Sequence, residues 1–374
     1  MDKFLSAYAT CGEPNAELIC ARIVAQLGVV PPVANLGFLY VTDALADQAQ
    51  QIVARLRNHT GVNHWVGSVG MGVCGVGQEF YDTPAAAVLI GAFPDDAFRV
   101  FSGVTDGLEN FVAQFGPWYQ DGAAHVAMVH GDPTNPELPR LIHEFSQALP
   151  GGFLVGGLTS SNARHVQIAD QSVEGGLSGV IFNEQVEIIT GLSQGCTPIG
   201  PRHLITECSH NIISRIDNRP ALEVFNEDIG ELLARDLNRV AGYIFVGLPI
   251  AGSDKADYLV RNLIGIDMLG KRLGVGDQVE AGQQLMFCRR DGLTAQHDLQ
   301  RMLTDLTQRS GRPPRGAVYY SCVGRGRYLF GTQSEELQIV RAALGDIPLA
   351  GFYANGEICH DRLYGFTGVL SLFL

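Results

Sequence analysis

An apolar run of strand length, a helical stretch and a second run broken by a hydrophobic-Gly step occur three times along this chain, in the same order. Any fold it adopts must accommodate three copies of one unit. The first copy runs from Leu36–Val41 through a helix over Ala44–Asn58 to His64–Ser68, with Gly67 at the step. Within that helix Leu45, Ala49, Ile52, Val53 and Leu56 fall at helical spacing. The second copy has His125–Val129, a helix over Pro136–Leu149 and Phe153–Gly157; the third has Ala317–Ser321, a helix over Ser334–Leu344 and Pro348–Phe352. A further strand closes each copy, at Ala86–Ile90, Gly179–Phe182 and Gly368–Leu372.

Strand, helix and strand in so short a span make a right-handed crossover between parallel strands. The expected fold class is therefore α/β, with mixed sheets built from strand-helix-strand-strand units and Gly-rich loops gathered at strand ends, where open sheets hold ligands. Residues 254–291 read as added β-hairpins, because Gly265, Gly270, Gly274, Gly276 and Gly282 separate short apolar runs. A helix is expected at Gln296–Gln308. At 374 residues the chain exceeds what one core supports, roughly 250–300 residues, and a break near Asp217–Pro220 gives two domains, 1–215 and 216–374.

Acidic residues outnumber basic ones 39 to 26, and the net charge of −13 repels phosphate backbones and anionic lipid surfaces. Nucleic-acid binding and membrane insertion are thereby disfavoured. The longest apolar stretch, Ala85–Phe93, is far short of the roughly 20 residues that cross a bilayer. Glu13 and Pro14 interrupt the N-terminal segment before a signal-length apolar core develops, so the expected location is cytoplasmic. The 8 cysteines contain no CxxC pair and are expected to be reduced thiols. The basic pairs Arg289-Arg290 and Arg325/Arg327 are either solvated or able to hold a small anion.

Each enzyme motif fails on what surrounds it. Gly70–Gly75 matches GxGxxG, but a Pro-containing turn follows where a dinucleotide site needs a helix N-terminus. Gly265–Lys271 has P-loop spacing, with Arg272 where a hydroxyl must hold magnesium. Gly191–Gly195 fits GxSxG, but Pro198 and Pro201 deny it the supporting helix, so a turn is expected. Ser193, Cys196 and Cys322 remain nucleophile candidates for a hydrolase or thiol enzyme, each lacking an identified base. No HxxH, HExxH or CxxC spacing suggests a metal site.

The segments Gly191–Pro201 (GLSQGCTPIGP), Ser321–Gly326 (SCVGRG), Gly351–Ile358 (GFYANGEI) and Tyr364–Gly368 (YGFTG) resemble the paired FIST N and FIST C domains, in sequence and in order. The likeness covers roughly residues 34–374. It implies an intracellular bacterial sensor of a small ligand, an amino acid or similar metabolite, that acts through a partner protein such as a histidine kinase, since the two FIST parts leave no room for an output domain. On this reading the pocket draws on Gly156, Gly157, Thr159 and Ser160 after one Gly-step strand, and on Asn355, Gly356 and Glu357 after its counterpart. Arg325 would fork onto a ligand carboxylate and Glu357 would accept an amino group. Some family members resemble haem proteins that sense nitric oxide. The departure from the family pattern at Cys359-His360 makes His360 the candidate axial ligand for such a variant.

Overall fold

A computed structural model of the chain describes residues 4–121, 124–230, 242–250 and 258–374. It has two compact units: residues 1–193 with 296–374, and residues 194–295. Residues 216–374 contribute to both.

The larger unit is three copies of one eight-element repeat. The first is β1 (Leu5–Thr10), α1 (Ala16–Leu27), β2 (Leu36–Thr42), α2 (Ala49–Thr60), β3 (His64–Gly70), a hairpin of β4 (Gly72–Gly75) and β5 (Gln78–Tyr81), and β6 (Ala85–Gly91). The second is β7 (Phe98–Val104), α3 (Glu109–Asp121), β8 (Ala124–Gly131), α4 (Leu138–Ala148), β9 (Leu154–Leu158), a hairpin of β10 (Gln167–Ala169) and β11 (Gln171–Val173), and β12 (Leu177–Asn183). The third opens with β13 (Ile188–Gln194) and resumes after the second unit with α6 (Gly292–Ser310), β22 (Gly316–Cys322), α7 (Glu335–Leu344), β23 (Leu349–Ala354), a hairpin of β24 (Glu357–His360) and β25 (Arg362–Tyr364), and β26 (Thr367–Phe373).

Each repeat builds the same sheet and gives its hairpin to another. The orders are β1-β6-β2-β3-β10-β11, β7-β12-β8-β9-β24-β25 and β13-β26-β22-β23-β4-β5. The central pairs β2–β3, β8–β9 and β22–β23 are parallel, as the crossover pattern requires, and the third strand pairs antiparallel. The repeated hydrophobic-Gly step has a steric cause. Gly67, Gly156 and Gly351 sit opposite Leu39, Val129 and Tyr319. A Cβ on these glycines would stand 1.7, 1.8 and 1.9 Å from the facing carbonyl oxygens.

One residue further along the first strands, Tyr40, His130 and Tyr320 occupy equivalent positions and converge where the three sheets meet. Tyr40 Oη lies 3.3 Å from both Tyr320 Oη and His130 Nε2, and Phe352 stacks on Tyr40 with ring centroids 5.2 Å apart. The opposite faces carry the helices. Leu39, Val41 and Val69 pack with Ile52, Val53 and Leu56 of α2; Val129 and Leu158 pack with Leu141, Ile142 and Phe145 of α4. Each such fully buried side chain contributes about 1.5–3 kcal/mol. Local signals fix the helix ends: Asn15 Oδ1 caps α1 by accepting from Leu18 N at 2.9 Å, and left-handed Gly61 (φ 74°) stops α2.

Residues 194–295 form a sheet closed on itself, ordered β21 (Gln284–Arg290), β15 (His203–Ser209), β16 (Ile212–Ile216), β20 (Arg272–Val275), β19 (Tyr258–Asp267), β18 (Ile244–Pro249) and back to β21. Two short strands, β14 (Cys196–Pro198) and β17 (Arg219–Pro220), attach to it, and α5 (Ala221–Ile229) packs on its core. The hairpins expected at 254–291 are these strands; positions 254–257 lie outside the described residues. The Asp217–Pro220 break falls within this unit, at the turn into β17. One expectation is corrected. Gly191–Gln194 belongs to β13 rather than a turn, because Gly191 lets Met302 and Leu306 of α6 approach to where a Cβ would stand, 2.6 and 3.0 Å away.

Gly67→Ala, Gly156→Ala or Gly351→Ala is expected to destabilise the protein by about 3 kcal/mol or more in urea unfolding, since backbone must move in each case. Gly12→Ala, with nothing within 4 Å of its Cβ, is expected to change stability by no more than about 0.5 kcal/mol.

Candidate functional site

The third repeat breaks the pattern of the other two. Under its helix, Tyr319, Ser321 and Tyr353 stand where the first repeat has Leu39, Val41 and Val69 and the second has Val129, Gly131 and Leu158. These substitutions turn an apolar layer into a polar one, and its centre is Glu336 in the first turn of α7. The Glu336 carboxylate, fully buried, accepts from Tyr319 Oη at 2.7 Å, Arg325 Nε at 2.8 Å, Gly326 N at 2.8 Å and Ser321 Oγ at 3.1 Å. Burial works against the charge of Arg325, but Glu336 beside it holds the guanidinium protonated. The remaining guanidinium nitrogens reach the carbonyl and Oγ of Ser193, each at 3.4 Å. Arg325 is thus already forked onto a carboxylate of its own protein, and Gly326 must be glycine: a Cβ there would lie 1.9 Å from Tyr81 Oη.

On one flank of this pair lies Glu79, whose Oε2 accepts from Tyr81 Oη at 3.1 Å. Burial, and then the charge of Glu336, raise Glu79 to about 7. Tyr353 lies close enough to help hold the Glu79 carboxylate, yet neither Tyr353 Oη nor Glu79 Oε1 closes a hydrogen bond. On the other flank lies Glu357, also fully buried. Its Oε2 accepts from Thr367 Oγ1 at 2.7 Å and Thr367 N at 3.1 Å, while Oε1 closes no hydrogen bond among the described residues, though the Cys322 thiol is its neighbour. Burial raises the Glu357 carboxyl to about 8, against the pull of Thr367, Arg325 and the neighbouring Cys322 thiol.

The equivalent residue of the second repeat explains why Glu357 Oε1 is open. Gln167 takes the same place in the first sheet, opposite Ser68, as Glu357 takes in the second, opposite Gly157. Gln167 is satisfied at both ends, donating to the Gly176 carbonyl at 3.2 Å and accepting from Ser178 Oγ at 2.5 Å. Counting from the third strands, Thr367 stands for Gly176 and Val369 for Ser178. Val369 has no hydroxyl to offer, so the second oxygen of Glu357 is left without a donor.

The two loops singled out in the sequence do come together, as neighbouring strands: Gly157 faces Glu357 and Gly156 faces Ile358. Their glycines have packing reasons. A Cβ on Gly157 would lie 2.6 Å from the Ala354 Cβ, and one on Gly356 (φ 118°) 2.9 Å from Leu363. Thr159 Oγ1 pairs with His165 Nδ1 at 2.9 Å, and Ser160 Oγ accepts from Met71 N at 2.8 Å and donates to the Tyr353 carbonyl. Asn355 is exposed and Gly356 half-buried, which puts the rim of the site two residues from Glu357. His360, the exposed last residue of β24, has a positive φ of 59° and Phe153 edge-on at 4.4 Å. Among the described residues no group of three or more His, Cys, Asp or Glu is placed to hold a metal ion.

Of the nucleophile candidates, Cys322 neighbours the Glu357 carboxyl. Ser193 Oγ faces the Arg325 cation, and burial pushes the Cys322 thiol well up from its ordinary value. Glu336, Thr367, Glu79 and Tyr353 were not singled out from the sequence. Aligning the three repeats position by position exposes Tyr353, which stands where the other two copies carry Val69 and Leu158.

Breaking the buried ion pair with Arg325→Met or Glu336→Leu alone is expected to cost about 3–5 kcal/mol in denaturant unfolding. The double variant is expected to cost clearly less than the sum, with a coupling of about 1 kcal/mol or more.

Over 341 residues, 88% of each chain, the protein is 29% identical to an uncharacterised protein of Mycobacterium tuberculosis. Over 382 residues, 97% of each chain, it is 26% identical to an uncharacterised protein of Mycobacterium bovis. Residues 35–219 match the FIST N domain and residues 221–360 the FIST C domain, the division falling inside the inserted unit. With both domains matched in order over most of its length, the chain belongs to the FIST family, whose domains are associated with small-ligand sensing and signal transduction.

Proposed function

We propose that the protein is a small-ligand sensor whose ligand is recognised at Glu357. The observation that carries the reading is the fully buried Glu357 Oε1, without a hydrogen-bond donor among the described residues, since an unpaired buried polar atom is costly and a ligand donor would relieve it. With Arg325 committed to Glu336, the ligand feature read here is an amino group, as in an amino acid or related metabolite. The exposed Asn355 and half-buried Gly356 form the rim through which it enters. Closing a hydrogen bond there ties β24 to the Arg325–Glu336 network. A partner protein such as a histidine kinase would read that change.

The reading is non-enzymatic. It is supported by the pairing of Ser193 with Arg325 rather than with a base and by the burial of Cys322.

A thermal-shift screen against amino acids and simple amines tests it. A ligand at 100 times its Kd stabilises by about 2.7 kcal/mol, and the shift is expected to vanish in Glu357→Gln. A panel with no active member, or one equally active on the variant, contradicts the reading. Below pH 8 the ammonium must displace the Glu357 proton. Affinity is therefore expected to climb by up to about tenfold per pH unit as pH rises toward that value and then level off, measured by titration calorimetry.

A further inference from the structure

β1, β7 and β13 are the equivalent outermost strands of the three sheets, and an outermost strand presents unpaired backbone to other chains. Two of them are blocked by the helix that follows. Gln26 of α1 donates to the Tyr8 carbonyl at 2.7 Å and accepts from Tyr8 N at 3.1 Å, and Arg22 donates to the Thr10 carbonyl. Arg309 and Arg301 of α6 donate to the carbonyls of Thr190 and Leu192 on β13, at 2.8 and 3.5 Å. β7 lacks such cover. Trp118 of α3 reaches only the Asp96 carbonyl before the strand, at 3.2 Å, and Arg99 turns back onto the Phe98 carbonyl at 2.9 Å. Asn183 N donates to the Ala97 carbonyl at 3.0 Å, and Arg99 and Phe101 stand opposite Ile181 and Gly179 of β12. Alternation along an antiparallel pair therefore turns the amide and carbonyl of Val100 outward, where neither meets a hydrogen-bond partner among the described residues.

A cleft of about 320 Å³ lies beside this strand, and the consecutive residues Phe98, Arg99 and Val100 all line it. Successive side chains of a strand face opposite ways, so three in a row border one cleft where it follows the edge rather than a face. His64, Asp95 and Asp170 line it too. Asp170 is committed, accepting from Trp65 N at 2.9 Å and pairing with His64 Nδ1 at 2.9 Å. Arg99 is committed to Asp96 and lies over the Trp118 ring, 4.6 Å from its centroid. Asp95 is exposed and makes no ion pair among the described residues. What the cleft lacks is a cation.

We propose that β7 is a docking edge: an extended segment of a partner protein adds to the sheet beside Val100 and lays a Lys or Arg side chain in the cleft against Asp95. In strand addition of this kind backbone hydrogen bonds give affinity and side-chain pockets give specificity. The net charge of −13 favours a basic segment over an acidic one. The register of β7 on β12 shifts between Leu177 and Gly179, which limits the regular edge to Phe98–Phe101. So short an edge suits a linear segment better than a second copy of the chain, whose stable dimer needs a larger face. The site does not depend on the reading given to Glu357. A free amine gains only an exposed ion pair at Asp95 and is not retained there.

The test is fluorescence anisotropy on the full chain with labelled heptapeptides blocked at both ends: TVTKTVT, its counterpart with Glu in place of Lys, and two forms of the first that are N-methylated on the odd or on the even residues. An added strand bonds through alternate amides, so one N-methyl form is expected to bind at least about tenfold more weakly than the other. The Lys peptide is expected to bind at least about threefold more tightly than the Glu peptide, and Asp95→Asn to lower that preference. Val100→Pro removes an outward N–H and no sheet bond, so it is expected to keep the wild-type melting temperature and lose the peptide. If that variant melts lower, the N-methyl pair and Asp95→Asn decide. The proposal is overturned if no peptide binds saturably, if both N-methyl forms bind alike, or if Val100→Pro and Asp95→Asn both bind as the wild type does. A dimer that Val100→Pro dissolves in sedimentation velocity also overturns it, by giving the edge to a second copy.

Discussion

Close backbone approach at Gly67, Gly156 and Gly351 is the contact on which the three-sheet unit depends. At each, the second strand of a parallel pair lies so near the first that a facing carbonyl occupies the space of a Cβ. The pairing sets where the strand ends, and so where the following hairpin leaves for another repeat's sheet. Because each hairpin is donated, no repeat can complete its sheet alone, as in other repeat proteins. The exchange places Glu357, a residue of the third repeat, against Gly157 of the second. Binding chemistry and fold topology therefore meet at one register.

Within this near-symmetric frame, function shows as broken symmetry. Two repeats fill the space beneath their helices with Val, Leu, Ile and Phe side chains. The third puts a carboxylate and a guanidinium there, together with two tyrosines and a serine. A buried ion pair of this kind stabilises less than an apolar layer of the same volume, so its presence points to a role other than stability. The contrast between Gln167, hydrogen-bonded at both ends, and Glu357, open at one, is the sharpest single difference.

Much of the fold was legible because period and spacing are local properties. The three strand-helix-strand units, the closing strands and the inserted hairpins all appeared in the residues. The opening strand and helix of the first two repeats, such as β7 with α3, did not, since Pro117 inside α3 and the half-exposed pattern of β7 blur the periods. The insertion between β13 and α6 was also hidden: contiguity in space there joins residues about a hundred positions apart. Of the site, Glu357 and Arg325 stood out by motif. The commitment of Arg325 to Glu336 depends on how α7 lands, and single-residue inspection of a helix rich in Glu and Arg gives no sign of which carboxylate turns inward.

The central claim is that Glu357 is a buried, neutral carboxyl group waiting for a cationic donor. Carbon-13 NMR of the Glu357 side-chain carboxyl, followed through a pH titration with and without a stabilising amine, observes that group directly. The account predicts a midpoint near 8 in the free protein and a carboxylate signal at neutral pH once the amine is bound. A free-protein midpoint in the ordinary glutamate range, about 4.3, or a signal indifferent to the amine, would contradict it.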